Sequence, residues 1–230
     1  GSRGNATVIH TAGEALLIDA GFSARELLRR LRQSHVDATL IRAVVVSHEH
    51  ADHVRGLRAV AAELGVPIYA NRGTASVLRH RDERLGPVTI FAAGDAFQLG
   101  AFNVHPFSIP HDAYDPVAFI VQARGRRVGV ATDLGHASQL VMHQLRGCDA
   151  LLIESNHDVA MLGNSQRPWS LKQRILGRHG HLSNEACMEL LGAVLDARTR
   201  HVVMAHASEE CNCYRSEEHT SELQSPNTIS

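Results

Sequence analysis

Residues 47–53 read Ser47-His48-Glu49-His50-Ala51-Asp52-His53 and form the most informative segment of the sequence. A β-branched run at residues 43–46 precedes it and predicts a buried strand that leads into the motif. The first two histidines lie two residues apart on an extended segment, so both rings can point to one side, while the aspartate and the last histidine fall where a helix begins. Imidazole and carboxylate ligands together are typical of hydrolytic centres for zinc, manganese or iron, whereas structural zinc sites favour thiolates. The motif therefore predicts a site that supplies ligands to two metal ions. The alternative is a polar loop whose histidines bind no metal.

One such motif cannot complete two coordination spheres, so further ligands are expected at strand ends elsewhere in the chain. The candidates are His111, Asp133 and His206, each of which follows a predicted strand. A single residue of this kind at the end of a strand is more often an ordinary loop residue than a metal ligand. As a set they predict the missing ligands.

Strands and helices alternate along the rest of the chain. Strands are predicted at residues 7–11, 15–18, 43–46, 68–70, 88–91, 96–99, 102–108, 118–122, 128–131, 150–154 and 201–205. Helices are predicted after Ser23, where Glu26 completes a capping box, from the histidine motif to Leu64, at 140–145, and from Ser183 to Leu195. Interleaved elements of both kinds favour a layered α/β architecture with helices outside a pair of sheets.

The order HxHxDH, lone His, Asp after a strand, late His resembles that of the metallo-β-lactamase-fold hydrolases over residues 1–214. Further segments resemble the WalJ (YycJ/VicX) branch, described as a nuclease-like phosphodiesterase acting on DNA. These segments are Gly4-Asn5-Ala6-Thr7, Pro110-His111-Asp112-Ala113, Thr132-Asp133-Leu134-Gly135, Glu154-Ser155-Asn156-His157-Asp158 and Gly180-His181-Leu182-Ser183-Asn184. The resemblance implies an αβ/βα four-layer sandwich with its site at one edge of two facing sheets.

The resemblance also implies a ligand set for two divalent ions, zinc or manganese. One ion would be held by His48, His50 and His111. The second would be held by Asp52, His53 and His206, with Asp133 as the bridge. Two such ions would activate a water for attack on phosphorus and neutralise charge on the phosphoryl oxygens.

The proposed catalytic residues are Asp52 and His181. His181 lies in a Gly-His-Leu-Ser segment that resembles the catalytic histidine segment of ribonuclease-Z-like relatives, which makes it the candidate general acid. The alternative is that His181 helps to cap the helix that Ser183 opens.

Glu154, Asn156 and His157 follow a buried strand and are expected to orient the ligand imidazoles, as metal-bound histidines generally require. The alternative is that they are turn residues.

The ends of the chain depart from the family pattern. The family normally has another strand before residue 1 and a further helix and strand after Asn212, so both ends of the 1–214 domain are expected to be truncated. Arg3 stands where a small residue is usual, and residues 207–211 match only in part. Residues 215–230 resemble a translated sequencing adapter and are set aside as a non-native tail.

Composition bounds the compartment and the partners. The chain has 230 residues and a net charge of −1, so any surface for the phosphates of DNA must be local. An apolar run of 18 residues and a signal peptide are both missing from the sequence, which predicts no membrane partner. Four scattered cysteines suggest a reducing compartment, and we expect a cytoplasmic protein.

Two other functions stay open at this point. The same two metals could hydrolyse a small ester, thioester or lactam, because this fold hosts many chemistries. A non-catalytic metal-binding module is the third reading. A flavin-linked di-iron oxidoreductase is disfavoured, because those relatives usually carry Glu where this chain has His50.

Overall fold

A computed structural model describes residues 3–213 of the chain. The tail expected at 215–230 lies outside the described residues, as do residues 1, 2 and 214 of the expected domain. The described chain divides into two compact units. The N-terminal unit comprises residues 3–106 and 113–117, and the C-terminal unit comprises residues 107–112 and 118–213.

The N-terminal unit is built on a five-stranded sheet in the order β1-β2-β3-β4-β5. Its strands are β1 (Thr7–His10), β2 (Ala15–Ile18), β3 (Ile41–Val45), β4 (Ile68–Asn71) and β5 (Val88–Phe91). β1 and β2 form an antiparallel hairpin, and β2 to β5 run parallel. β6 (Phe97–Leu99) and β7 (Phe102–Ser108) form a second antiparallel hairpin. The last two residues of β7 belong to the C-terminal unit.

Four helices cover this first sheet. They are α1 (Ala24–Gln33), α2 (Ala51–Val54), α3 (Leu57–Leu64) and α4 (Arg72–Arg81). Leu27, Val60 and Leu78 of the helices pack with Val44 and Ile68 of the sheet in one buried apolar cluster. Burial of this cluster is the main stabilising term of the unit.

The C-terminal unit alternates strands and helices. Its elements are β8 (Val117–Ala123), β9 (Arg126–Ala131), α5 (Gln139–Leu145), β10 (Ala150–Glu154), α6 (Val159–Asn164), α7 (Trp169–Leu176), α8 (Asn184–Val194) and β11 (His201–Ala205). β8 and β9 are antiparallel, whereas β9, β10 and β11 are parallel neighbours. Helices α5 and α8 pack through Val141, Leu145 and Leu190 on Leu151 and Ile153 of β10.

Parallel pairing decides where the polar residues lie. The carboxyl ends of adjacent parallel strands share one edge of a sheet, where α/β proteins bind ligands. In the N-terminal unit this edge carries Asp19 after β2 and the histidine motif after β3. In the C-terminal unit it carries Asp133, Glu154 and His206, at the ends of β9, β10 and β11.

Each predicted strand is present, with ends displaced by a few residues at most, but the helices differ more. The predicted helix up to Leu64 is interrupted at Gly56, where a Cβ atom would lie 1.7 Å from the carbonyl oxygen of Phe22. Helices α4, α6 and α7 were not predicted. α6 and α7 bury only Leu162 and Ile175, too short a pattern to read as a helical stripe. No helix within residues 3–213 has the length and apolar character that a membrane crossing requires.

Candidate metal centre

The histidine motif forms a compact cluster in the N-terminal unit. His48 and His53 are buried, and their ring centroids are 4.1 Å apart. The His50 ring stands edge-on to the His48 ring at 4.6 Å. The motif therefore places its three imidazoles side by side.

Asp19 holds two of these rings. Its carboxylate Oδ2 lies 2.7 Å from His53 Nδ1 and also accepts the Ser47 hydroxyl at 2.7 Å. Ser47 Oγ lies 2.9 Å from His48 Nδ1. Because the single hydroxyl proton goes to the carboxylate, Oγ is left to accept from His48. Both rings thus carry their proton on Nδ1 and keep Nε2 unprotonated, the form that binds a metal.

Asn5 reaches the same cluster from the segment before β1. Its side-chain Nδ2 lies 3.0 Å from Asp52 Oδ2 and 2.9 Å from His53 Nε2. Its backbone N–H donates to the carbonyl oxygen of Asp52 at 2.7 Å. Asn5 therefore fixes the Asp52 carboxylate next to the nitrogen that His53 presents.

Glu154 organises the second cluster, in the C-terminal unit. Its fully buried carboxylate accepts four hydrogen bonds. Oε1 lies 2.8 Å from His181 Nδ1 and 2.7 Å from His206 Nδ1. Oε2 accepts the backbone N–H groups of Leu134 at 2.6 Å and Leu182 at 3.1 Å. One side chain thus joins the loop after β9 to the segment before α8 and orients two histidines.

These contacts shift the pKa values of Glu154 and His181. Burial alone would raise the pKa of Glu154, but the His181 and His206 imidazoles outweigh it and lower that pKa to about 2. Burial lowers the pKa of His181, but the Glu154 carboxylate opposes this and raises it above its ordinary value overall. Glu154 is therefore an anion at neutral pH, and His181 holds its proton more firmly than an ordinary histidine.

Asp133 lies next to both clustered histidines and to His111. Its Oδ1 atom is 3.3 Å from His206 Nε2, 3.7 Å from His111 Nε2 and 3.9 Å from His181 Nδ1. His111 Nδ1 lies 3.0 Å from the carbonyl oxygen of Gly180, which again leaves Nε2 to face Asp133. Burial lowers the pKa of His111, which favours the neutral ring that a metal requires.

Several site residues adopt the left-handed backbone conformation. The φ angles are +63° at Asp19, +57° at Asp133 and +59° at His206. Residues other than glycine rarely adopt this conformation, and its cost is tolerated where a functional geometry requires it. The conformation aims each side chain at the sheet edge directly after its strand.

The other residues predicted for the site, Asn156, His157 and His181, have different contacts. Asn156 Nδ2 donates to the carbonyl oxygen of His206 at 2.8 Å, so it supports that histidine's backbone. His157 contacts Asn156 in turn, and its Nδ1 lies 3.4 Å from Asn156 Oδ1. The N-cap of α8 is the Ser183 side chain, which accepts from Ala186 N, and His181 points to Glu154. The capping alternative for His181 is therefore wrong.

The donor set fits a divalent cation. Asp133, Glu154, His181 and His206 offer ligand atoms that all lie within 4.8 Å of one another. His48, His53, His111 and His206 each have Nδ1 held by an oxygen atom, which is the usual support of metal-bound imidazole. Two carboxylates and imidazoles in one buried cluster suit zinc or manganese chemistry.

Sequence reasoning missed the supports Asp19, Ser47 and Asn5, and the acceptor role of the Gly180 carbonyl. Asp19 directly follows the buried strand β2, as Asp133 follows β9, and this position was the available signal. The backbone carbonyl of Gly180 left no signal in the residue types.

The comparisons with known proteins agree with this architecture. The family model described as "Beta-lactamase superfamily domain" matches residues 14–207. Exodeoxyribonuclease YycJ of Bacillus anthracis is 33% identical over 218 residues, covering 92% of this chain and 81% of that protein. Exodeoxyribonuclease WalJ of Streptococcus pneumoniae is 33% identical over 217 residues, covering 92% of this chain and 80% of that protein.

Among solved structures, Zn²⁺-bound PqqB from Methylobacterium extorquens matches with a TM-score of 0.69 and 20% identity, covering 93% of this chain and 81% of that chain. This likeness concerns the fold alone and confirms the predicted α/β metallo-β-lactamase fold. The family model and the two exodeoxyribonucleases show that the chain belongs to the β-lactamase superfamily, in its WalJ branch.

Proposed function

We propose that this chain is a dinuclear metal-dependent phosphodiesterase that degrades DNA from an end. The observation that carries the proposal is the paired use of buried carboxylates, in which Asp19 and Glu154 hold the Nδ1 atoms of histidines predicted to be ligands. The names of the two similar proteins, both exodeoxyribonucleases, support DNA as the substrate class.

In this proposal the ligands are those that the family resemblance implies. One cation, zinc or manganese, would be held by His48, His50 and His111. The other would be held by Asp52, His53 and His206, and Asp133 would be a ligand of both. The described Nδ1 contacts support the four buried or half-buried imidazoles His48, His53, His111 and His206 in these roles.

When bound, the two cations supply a nucleophile from water at neutral pH and neutralise charge on the phosphoryl oxygens. His181 then serves as the general acid. Its Nδ1 is held by Glu154, whose carboxylate outweighs burial, raises the pKa of the ring and so favours the protonated form. Its side chain is 23% exposed, so Nε2–H can donate to the leaving oxygen. Asn5 orients the carboxylate of Asp52.

The proposal includes a cytoplasmic location and a single hydrolase domain within residues 1–214, with 215–230 outside it. The four cysteines form no disulfide in the part of the chain that the structure describes, in keeping with a reducing compartment.

The test is an incubation of end-labelled DNA with the full chain and Mn²⁺ or Zn²⁺. We expect stepwise release of nucleotides, and a loss of at least about 100-fold in rate for Asp133→Ala, because that change removes the bridging ligand. His143→Ala, at an exposed position of α5, is the matched control and should retain the rate.

A parallel incubation with a chromogenic lactam and a simple ester decides the substrate class. Uncut DNA together with rapid ester or lactam hydrolysis would show that the nuclease assignment is wrong. An unchanged DNA cleavage rate for Asp133→Ala would contradict the metal site itself.

A further inference from the structure

Helix α7 has one buried face and one exposed face. Leu171 and Ile175 pack on Leu162 of α6 and on Cys211. The opposite face presents Trp169, Gln173 and Leu176, which lie at positions i, i+4 and i+7 of one helical stripe. We call these three residues the α7 strip. The Trp169 side chain, the only tryptophan of the chain, is 64% exposed.

The segment that carries the strip has only positive formal charges. Residues 159–184 contain no Asp or Glu, but they contain Arg167, Lys172, Arg174 and Arg178. Arg167 pairs with Glu210, and Arg174 pairs with Asp112.

The other two cations have no carboxylate partner among residues 3–213. Lys172 Nζ donates to the carbonyl oxygens of Gly163 and Ser165, and Arg178 Nη2 lies 3.1 Å from His136 Nε2. A protein with a net charge of −1 therefore has a local positive surface at this segment.

The strip leads to the proposed general acid. After α7 the chain folds back in a tight turn, in which Gly180 N donates to Gly177 O and His181 N donates to Ile175 O. A Cβ atom on Gly180 would lie 2.2 Å from two carbonyl oxygens of α7, so only glycine permits this return. The strip spans about 10 Å along the helix axis and ends beside the turn that positions His181.

We propose that the α7 strip is a binding platform for single-stranded DNA, with a base stacked on Trp169 and a phosphate held by Arg178. The inference rests on the proposed function and adds the form of the substrate. An exposed aromatic side chain on a segment with cations that lack a carboxylate partner matches single strands, because the faces of their bases are open for stacking. In a duplex these faces are covered by neighbouring base pairs.

Trp169 makes the first test direct, because its fluorescence is the only tryptophan signal of the chain. The full chain is titrated in EDTA, which prevents cleavage, with a thymidine oligonucleotide or with a blunt duplex of equal nucleotide content. We expect quenching by the single strand and little or none by the duplex.

Variants are then compared by the anisotropy of a labelled single strand, again in EDTA. We expect Trp169→Ala to raise Kd by at least about fivefold, the lower range for one stacked base. Arg178→Gln should reduce the slope of log K against log salt by about 0.7, the value for one phosphate contact on a single strand. Met188→Ala, which removes a similarly exposed apolar side chain on α8, is the control and should bind like wild type.

The outcomes separate this inference from the proposed function. Quenching with a weakened Trp169→Ala variant supports the strip even if the metal-loaded protein cuts no DNA, in which case only the nuclease assignment fails. Normal cleavage with no quenching and an unchanged Kd for Trp169→Ala overturns the strip alone. A change of oligomeric state in Trp169→Ala, seen by light scattering, also overturns it, because the face would then join copies of the chain.

Discussion

At the scale of single residues, the site depends on which nitrogen of each imidazole carries the proton. Two carboxylates hold Nδ1 atoms directly, Asp19 that of His53 and Glu154 those of His181 and His206. Each lies at the end of a parallel strand or directly after it. Glu154 accepts hydrogen bonds on both oxygens, so a neutral amide of equal size cannot replace it. A glutamine would direct two N–H groups at donors that are already there.

We therefore expect Glu154→Gln to reduce metal affinity, nuclease rate or both by about 10-fold to 100-fold, the usual effect of losing a group that orients a metal ligand. Chelator competition and the DNA assay measure the two quantities. Glu185→Gln, at an exposed position of α8, should change neither. Wild-type affinity and rate in Glu154→Gln would mean that His181 and His206 are oriented by other contacts.

At the scale of elements, the segment after β2 must pass very close to the histidine motif. Gly21 lies at this crossing, and a Cβ atom there would be 1.7 Å from the carbonyl oxygen of Asp52 and 2.5 Å from Asn5 N. Both are backbone atoms, which cannot yield by a rotamer change.

We expect Gly21→Ala to displace the motif, lower the free energy of unfolding by more than about 2 kcal/mol, and weaken metal binding. Urea denaturation and a metal titration check these two results. Gly13→Ala is the matched control, because a Cβ atom in that hairpin turn would meet nothing within 4 Å. Equal losses in both variants would show that the close approach at Gly21 is not the cause.

Asp149 links three elements of the C-terminal unit. Its carboxylate accepts from Arg127 N at the start of β9 and from the Arg198 and Arg126 guanidinium groups, while it leads into β10. Burial raises the pKa of Asp149, but these hydrogen bonds outweigh it and lower the pKa to about 2. Because the folded pKa lies below the ordinary value, the carboxylate stabilises the fold above that value and this contribution disappears as the pH falls towards 2.

We expect Asp149→Asn to lower the free energy of unfolding at pH 7 by about 1.5–3 kcal/mol, the range for hydrogen bonds to a charged group. The difference from wild type should shrink between about pH 4 and pH 2, where wild type itself loses the anion. Urea denaturation at pH 7 and at pH 2.5 gives both numbers, with Asp95→Asn as an exposed control. A difference that is the same at both pH values would assign the effect to packing.

Some helices, strands and site contacts can be predicted from the sequence, and others cannot. Strands such as β3 and β10 were predictable because their continuous apolar runs end at charged or polar residues. Helix α4 was not, because three of its four buried residues, Gly73, Thr74 and Ala75, are small. The predicted ligands have chemically distinctive types and a fixed order, whereas the acceptor at Gly180 and the crossing at Gly21 arise from pairings between distant segments. Such contacts depend on tertiary structure and leave little trace in local sequence.

At the scale of the whole molecule, the same arrangement of carboxylate and histidine occurs in each unit. In both, a buried carboxylate after or at the end of a parallel strand accepts Nδ1 protons from histidines and leaves Nε2 for a cation. Because a metal binds the unprotonated nitrogen of an imidazole, this arrangement suits each cluster to cation binding.

A cation that binds the folded chain at 100 times its Kd adds about 2.7 kcal/mol to the free energy of unfolding. For a domain of this size we expect a rise in Tm of roughly 5–10 °C when Zn²⁺ or Mn²⁺ is added to chelator-treated protein. His206→Gln should lose most of this rise, because it removes a proposed ligand, whereas His143→Gln on the exposed face of α5 should keep it. Calorimetry at several metal concentrations distinguishes specific binding, which saturates, from a general salt effect. An equal rise in His206→Gln and wild type would mean that the cation binds elsewhere, and the assignment of His206 as a ligand would then be wrong.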